Sequence, residues 1–172
     1  MSKLMKYLIV FLISMIPLVE LRGALPVALS PSDMIFFGKL HGMGLPALSA
    51  YATCILGNMI PVPFIFFFAR KFLEWGANKK VIGKFFTWCL EKGHKGGAKL
   101  QEKAGRGLFV ALLLFVGIPI PGTGAWTGTL AASMLDMDFK SSVLAVMLGV
   151  LLAGVIMGLL SMGVFGALTA AA

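Results

Sequence analysis

Four apolar runs, separated by polar punctuation, organise the chain. The first, residues 7–19, is interrupted at Pro17, and Glu20, Arg22, Gly23 and Pro26 then sit where a simple membrane span is most apolar. At about 1.5 Å per residue, a helix of this length crosses only part of a hydrocarbon core about 30 Å thick. Ser30-Pro31-Ser32-Asp33 reads as a fresh helix start, with Ser30 as N-cap and Pro31 in the first turn, and predicts a short helix to about His41. Pro46 opens the second run, a span over 45–70 that Pro61 and Pro63 should kink or unwind in its last third. From 72 to 90, Phe72, Trp75, Ile82 and Phe86 alternate with Lys79, Lys80 and Lys84, which predicts an amphipathic helix on the bilayer surface.

The third run, 107–135, is long enough to span, but its centre is Gly117-Ile118-Pro119-Ile120-Pro121-Gly122-Thr123-Gly124, which cannot continue an α-helix. Each flank is half a membrane long. Such a segment is either a broken span or a re-entrant hairpin, tolerated only against protein or a wet cavity. Asp136, Asp138 and Lys140 return the chain to water before the last run, whose Gly154 and Gly158 permit close packing against a neighbouring element or a second copy.

A weak internal repeat emerges. Ile16-Pro17 precedes Gly23-Ala24 as Ile118-Pro119 precedes Gly124-Ala125, and Leu56-Gly57 resembles Leu148-Gly149 in the span that follows each break. The expected fold is therefore an all-α integral membrane protein, one domain over 1–172, built as an inverted repeat of a re-entrant (broken) helical hairpin plus a transmembrane helix. Repeat 1 covers 1–70, with its hairpin at 4–41 and its span at 45–70; a basic amphipathic connector follows at 71–106. Repeat 2 covers 107–172, with its hairpin at 107–135 and its span at 141–165. If both broken segments re-enter, the termini lie outside; if both cross fully, the termini lie inside, which Lys3 and Lys6 prefer.

Composition places the chain in a bilayer: 59% of residues are apolar and 13% charged, and 40–69, 107–135 and 141–172 contain no Asp, Glu, Lys or Arg. The net charge of +8 does not indicate nucleic acid, because ten of the fifteen basic residues lie between Arg70 and Arg106. That loop is membrane-flanking and marks the cytoplasmic face, where it meets anionic lipid. Lys3 and Lys6 ahead of the first run resemble a signal peptide, but Glu20 and Arg22 stand before any cleavage point, and the segment reads as mature structure. Cys54 and Cys89 give neither a disulfide framework nor zinc-ligand spacing.

The chemistry available is sparse. Glu20 and Arg22 are the only acid and base flanked on both sides by membrane-like sequence, where an ionisable pair is costly unless paired or hydrated. Arg22 offers a fork for phosphate or carboxylate, and Glu20 a group that takes up and releases a proton. The plainer alternative is that both merely end a helix at a hairpin mouth. At Gly122-Thr123-Gly124 the backbone N–H groups of a new helix should face a cavity and attract anions, with Trp126 a turn further on. The alternative there is a kink whose polar groups are satisfied internally. Candidate substrate- or ion-binding residues are thus Glu20, Arg22, Gly23 and Pro26 at the first break, Asn58 and Arg70 on the following span, and Pro119, Pro121, Gly122, Thr123, Gly124 and Trp126 at the second. His41 and His94 lack partners at metal spacing, and no nucleophile or carboxylate pair suggests an enzyme, a metal or a cofactor.

At Glu20-Leu21-Arg22-Gly23-Ala24-Leu25-Pro26 and at Gly117 to Gly128 the chain resembles the small multi-drug export proteins of bacteria and archaea. That family resembles a distant branch of the DedA superfamily, which includes the VTT-domain lipid scramblases. The resemblance implies the repeated hairpin-plus-helix fold and a prokaryotic cytoplasmic membrane. It also implies two functions: efflux of small lipophilic or cationic compounds, or transport of an anionic lipid carrier such as undecaprenyl (polyprenyl) phosphate with protons as coupling ion. Of the two, the lipid phosphate implied by the resemblance fits Arg22 and the tip at Gly122 to Gly124, and its transport is the expected function, in a homodimer formed through the Gly-rich surfaces. The exporter and a non-transporting membrane scaffold are the rivals.

Overall fold

A computed structural model of the chain describes residues 2–17, 19–31, 35–36, 40–78, 87, 106–120 and 122–170. Among them are helices α1 (Lys3–Met15), α2 (Glu20–Leu29), α3 (Ala47–Met59), α4 (Pro61–Ala77), α5 (Arg106–Gly117), α6 (Ala125–Met134) and α7 (Phe139–Ala170). Two stretches are long and apolar enough to cross a membrane, Ala47–Phe68 and Phe139–Gly163.

The first break falls where proline demands it. Ile16, ahead of Pro17, is extended (φ −71°, ψ 128°) and ends α1. Ser2 caps the other end, its hydroxyl accepting from the Met5 N–H at 3.3 Å. Helix α2 then begins at Glu20, whose φ of 49° lies in the left-handed region that side chains avoid. Gly124 is N-cap of α6 after the second break, and Gly122 (φ 86°) lies within that break.

The helix expected from Ser30 to His41 is not formed. Ser30 instead closes α2, and its hydroxyl goes to the Val27 carbonyl at 3.2 Å, leaving no cap for a new helix. The chain turns back as strands β1 (Ile35–Phe36) and β2 (Leu40–His41), paired antiparallel with Ile35 opposite His41. The returning segment takes up the last carbonyls of α2: Met43 N–H bonds to Val27, Leu45 N–H to Ala28 and Gly44 N–H to Ser30, at 2.8–2.9 Å. A helix would have left those acceptors bare.

Pro61 and Pro63 interrupt the hydrogen-bond ladder without unwinding the span, because Ile60 between α3 and α4 keeps helical angles (φ −59°, ψ −43°). The apolar stretch ends at Phe68, next to the expected aqueous end at Arg70, but α4 runs on to Ala77 instead of giving way to a separate helix from 72. The rest of the 72–90 amphipathic segment lies outside the described residues.

The first three and the last three helices pack in similar ways. Helix α1 packs on α2 and α3, and α5 packs on α6 and α7. The halves also exchange contacts, α2 lying on α7 and α6 on α4. Two glycines each allow a helix to approach the backbone of another closely. A Cβ at Gly57 would stand 2.6 Å from the Phe11 carbonyl oxygen on α1, and one at Gly149 would stand 2.8 Å from the Leu113 carbonyl oxygen on α5. Phe11 and Leu113 hold the same place ahead of Ile16-Pro17 and Ile118-Pro119, so equivalent glycines serve equivalent contacts. Gly154 and Gly158 take Tyr51 of α3, whose hydroxyl donates to the Gly154 carbonyl at 2.9 Å. The side of α7 expected to meet a second copy through these glycines is therefore filled from within the chain.

Gly57→Ala and Gly149→Ala are each expected to lower stability by about 1–3 kcal/mol, because backbone oxygens cannot move aside as a flexible side chain can. Gly163→Ala, with nothing within 4 Å of its Cβ, is the control and should be neutral or mildly stabilising. Thermal unfolding in detergent distinguishes them.

Candidate functional site

A helix that stops inside a membrane leaves N–H groups bare at one end and carbonyls at the other. The break between α5 and α6 does both at once. Its Gly124 N-cap (φ 152°) has no side chain with which to cap α6. Glu20, in sequence 105 residues away, supplies the missing acceptor: Oε2 accepts from the Ala125 N–H and Oε1 from the Trp126 N–H, each at 3.0 Å. The carboxylate is 5% exposed. Two bonds from helix N-terminal amides to a negative group are charge-assisted and match the positive end of the helix dipole.

Arg22 closes the other end. Its Nη2 donates to the Val116 and Ile118 carbonyls, both at 3.1 Å, and to the Thr123 hydroxyl at 2.9 Å, while Nη1 donates to the Ile120 carbonyl. A guanidinium thus gathers the carbonyls at the C-terminal end of α5, where positive charge is favoured. Thr123 tightens the turn further, its hydroxyl lying 2.9 Å from the Ile120 carbonyl and its N–H bonded to the same oxygen at 3.1 Å. Glu20 and Arg22 each direct their charge at the break rather than at one another, forming one clasp with two jaws.

The clasp depends on backbone that few residues tolerate. A Cβ at Gly124 would overlap the Glu20 carboxylate, so glycine is required by proximity as well as by φ. Glu20 itself is held at positive φ, an unfavourable conformation of the kind found at functional clamps. Gly23 sits against the Val19 side chain, and its N–H bonds to the Val19 carbonyl at 2.9 Å. Pro26 lies inside α2.

The structure thus brings Glu20, Arg22, Thr123, Gly124 and the Trp126 N–H together, with Pro119 and Gly122 in the same break. Asn58 stands apart on α3, 2% exposed. Pro121 and the Arg70 side chain lie outside the described residues. Of the two readings of the second break, an anion-attracting tip or polar groups satisfied internally, the arrangement seen has the first two amides of α6 and the Arg22 Nη2 engaged within the chain. The partners missed in the sequence are main-chain groups, the Ala125 N–H and the carbonyls of Val116, Ile118 and Ile120. Only their position at helix ends signals them. Among the described residues, no group of three or more His, Cys, Asp or Glu is placed to hold a metal.

Two helices long and apolar enough to span, with a break whose ends are capped from another helix, are features of an integral membrane protein. The chain belongs to the family described as "Putative small multi-drug export protein", which matches residues 20–156 and so begins at the clasp's own carboxylate. No curated protein and no solved structure matches it.

Glu20→Ala and Gly124→Ala are each expected to cost about 1.5–3 kcal/mol, the range for bonds to charged groups. The double variant should fall well short of the sum, because both changes abolish the same two bonds. Arg22→Lys should recover only part of what Arg22→Ala loses, since an ammonium lacks the planar fork that reaches several acceptors. Chemical or thermal unfolding of the purified variants provides the cycle.

Proposed function

We propose that the protein exports small lipophilic or cationic compounds across the cytoplasmic membrane of a prokaryote, and that the Glu20–Arg22 clasp is the joint at which its two halves part. The family's description supports export. The observation that carries the mechanism is that α2 of the first half is held on the break of the second through the side chains of Glu20 and Arg22. Side-chain contacts let go and re-form without refolding a helix, and a movable joint at a repeat interface is what alternating access requires.

In this reading the helix–break–helix units are re-entrant hairpins of an inverted repeat, because α1, α2, α5 and α6, at 10 to 13 residues each, are too short to cross about 30 Å. The exchange of α2 onto α7 and α6 onto α4 supports the two-fold relation. The basic stretch 71–106 lies in the cytoplasm against anionic lipid. Protons are the coupling ion, through Glu20. A homodimer is compatible with this scheme but uses surfaces other than Gly154 and Gly158, which Tyr51 fills.

One observation favours a second reading, transport of an anionic lipid carrier such as a polyprenyl phosphate, as in the DedA relatives. The α6 N-terminus already binds a carboxylate by two N–H groups, and two phosphate oxygens fit the same place once Glu20 swings away. The exporter is preferred because the family's description names export, and because the first two amides of α6 and the Arg22 Nη2 are already engaged within the chain.

Proteoliposomes separate the readings. With a pH gradient imposed, the wild type is expected to move tetraphenylphosphonium several-fold faster than protein-free vesicles, and Glu20→Gln to lose the dependence on the gradient. Movement of a short-chain polyprenyl phosphate without that of the cation would install the lipid reading instead. A folded wild type that moves neither is a scaffold.

A further inference from the structure

Residues 1–19 contain Lys3 and Lys6 but no Asp or Glu, so α1 begins as a positive end that leads into a stretch without charge. Helix α1 lies against α3 and starts at the same end of the molecule, since Tyr7 donates to the Ser49 hydroxyl at 2.8 Å and Ser14 to the Cys54 carbonyl. That end is where the span Ala47–Phe68 begins. Lys6 is committed there, its ammonium donating to the Met43 carbonyl at 2.7 Å. Lys3 is exposed and bonds no group among the described residues.

Beyond Lys3 the two helices leave a slot between them. Leu4, Tyr7, Leu8 and Phe11 of α1, with Thr53 and Leu56 of α3, line a cavity of about 360 Å³, and Leu4, Leu8 and Leu56 stand exposed at its rim. From Leu4 to Phe11 the slot follows α1 for about 10 Å. The polar atoms of its wall are already spent, the Tyr7 hydroxyl on Ser49 and the Thr53 hydroxyl on the Ser49 carbonyl at 2.7 Å. An occupant therefore meets carbon, and a polar one would lose its bonds to water without replacement. Lys3 precedes Tyr7 by four residues and so shares its strip of α1, which sets an unpaired cation at one end of a dry slot.

We propose that this groove seats an acyl chain of an anionic phospholipid, with the lipid's charged headgroup on Lys3. A phospholipid carries charge and hydrocarbon in the order that the groove offers them, and net negative charge is what a lone lysine selects over a neutral headgroup. A second copy of the chain fits less well, because a two-fold contact over the groove brings the unpaired Lys3 of each chain onto the same face. The lipid lies across α1 and α3, and α1 in turn packs on α2, which carries Glu20 and Arg22. It is a prop for the first half of the molecule, separate from the clasp and independent of the cargo.

Photolabelling of the purified protein in phosphatidylcholine nanodiscs tests the assignment. The probes are trace phosphatidylglycerol and trace phosphatidylcholine, each with a diazirine on its acyl chain, and labelled peptides are read by mass spectrometry. The anionic probe is expected to label 4–11 and 53–56 about fivefold more than the neutral one, the effect of one basic residue near a membrane surface. Lys3→Gln should bring the two probes within about twofold of one another. Lys140→Gln, also at an exposed lysine, should leave the preference unchanged. Thr53→Phe, which fills the slot, should remove the label from 4–11 with either probe while α7 stays labelled. Equal labelling of the wild type by both probes overturns the proposal, since the groove then holds only bulk lipid. A fall in Lys140→Gln as large as that in Lys3→Gln overturns it too, as does a groove that neither probe labels, the result a covering second copy would produce.

Discussion

The structure turns on one requirement: a helix interrupted in the protein's interior must have its loose ends bonded by something other than bulk water. Two residues of α2 meet it. The Glu20 carboxylate takes the first amides of α6, and the Arg22 guanidinium takes the terminal carbonyls of α5. The signs are those the helix dipoles ask for at each end. Other features then follow. Glu20 has to sit at positive φ at the start of α2, Gly124 has to lack a side chain, and α2 has to lie close to the second half, where it packs on α7.

The same accounting explains the smaller irregularities. The end of α2 is another interruption, and there the returning residues Met43, Gly44 and Leu45 provide the amides. The prolines of the first span remove donors without freeing the helix to unwind, because Ile60 keeps its helical angles. Hydroxyls buried between helices return their protons to nearby carbonyls. Glycine serves chiefly where two helices meet at the backbone, as at Gly57 and Gly149. Because these glycines bear on equivalent helices, α1 and α5, the faint similarity between the halves is a similarity of function in packing rather than of letters alone.

Much of this was legible in the sequence, and the limit is physical. Pro17 and the Gly117 to Gly124 stretch announce their breaks because proline lacks a donor and glycine lacks a preference for helix. Charge-free runs announce the spans. An acid and a base amid apolar residues announce that something there needs charge. What the letters do not carry is the partner, because the groups that Glu20 and Arg22 bind are main-chain N–H and C=O, the same in every residue. The tip was thus readable as an open anion site, whereas the anion it holds belongs to the chain itself. Ser30 was misread for a related reason: a serine ahead of proline suits the start of a helix, but it suits equally the end of the preceding one when the returning chain supplies amides. At Arg70 the apolar stretch ends where the sequence places it, just after Phe68, while the helix itself continues to Ala77.

A joint that fills its own binding groups has an energetic consequence for movement. Parting α2 from the second break strips the bonds from two amides, the Val116 carbonyl and two charged side chains together, while the Ile118 and Ile120 carbonyls keep their bonds within the break. Left bare in hydrocarbon, each would cost several kcal/mol. In the proposed exporter, parting would therefore be coupled to the entry of water or of a polar group of the cargo that takes the same bonds, and an empty, open passage would be the most costly arrangement. That coupling would arise because one carboxylate and one guanidinium do the work of helix caps.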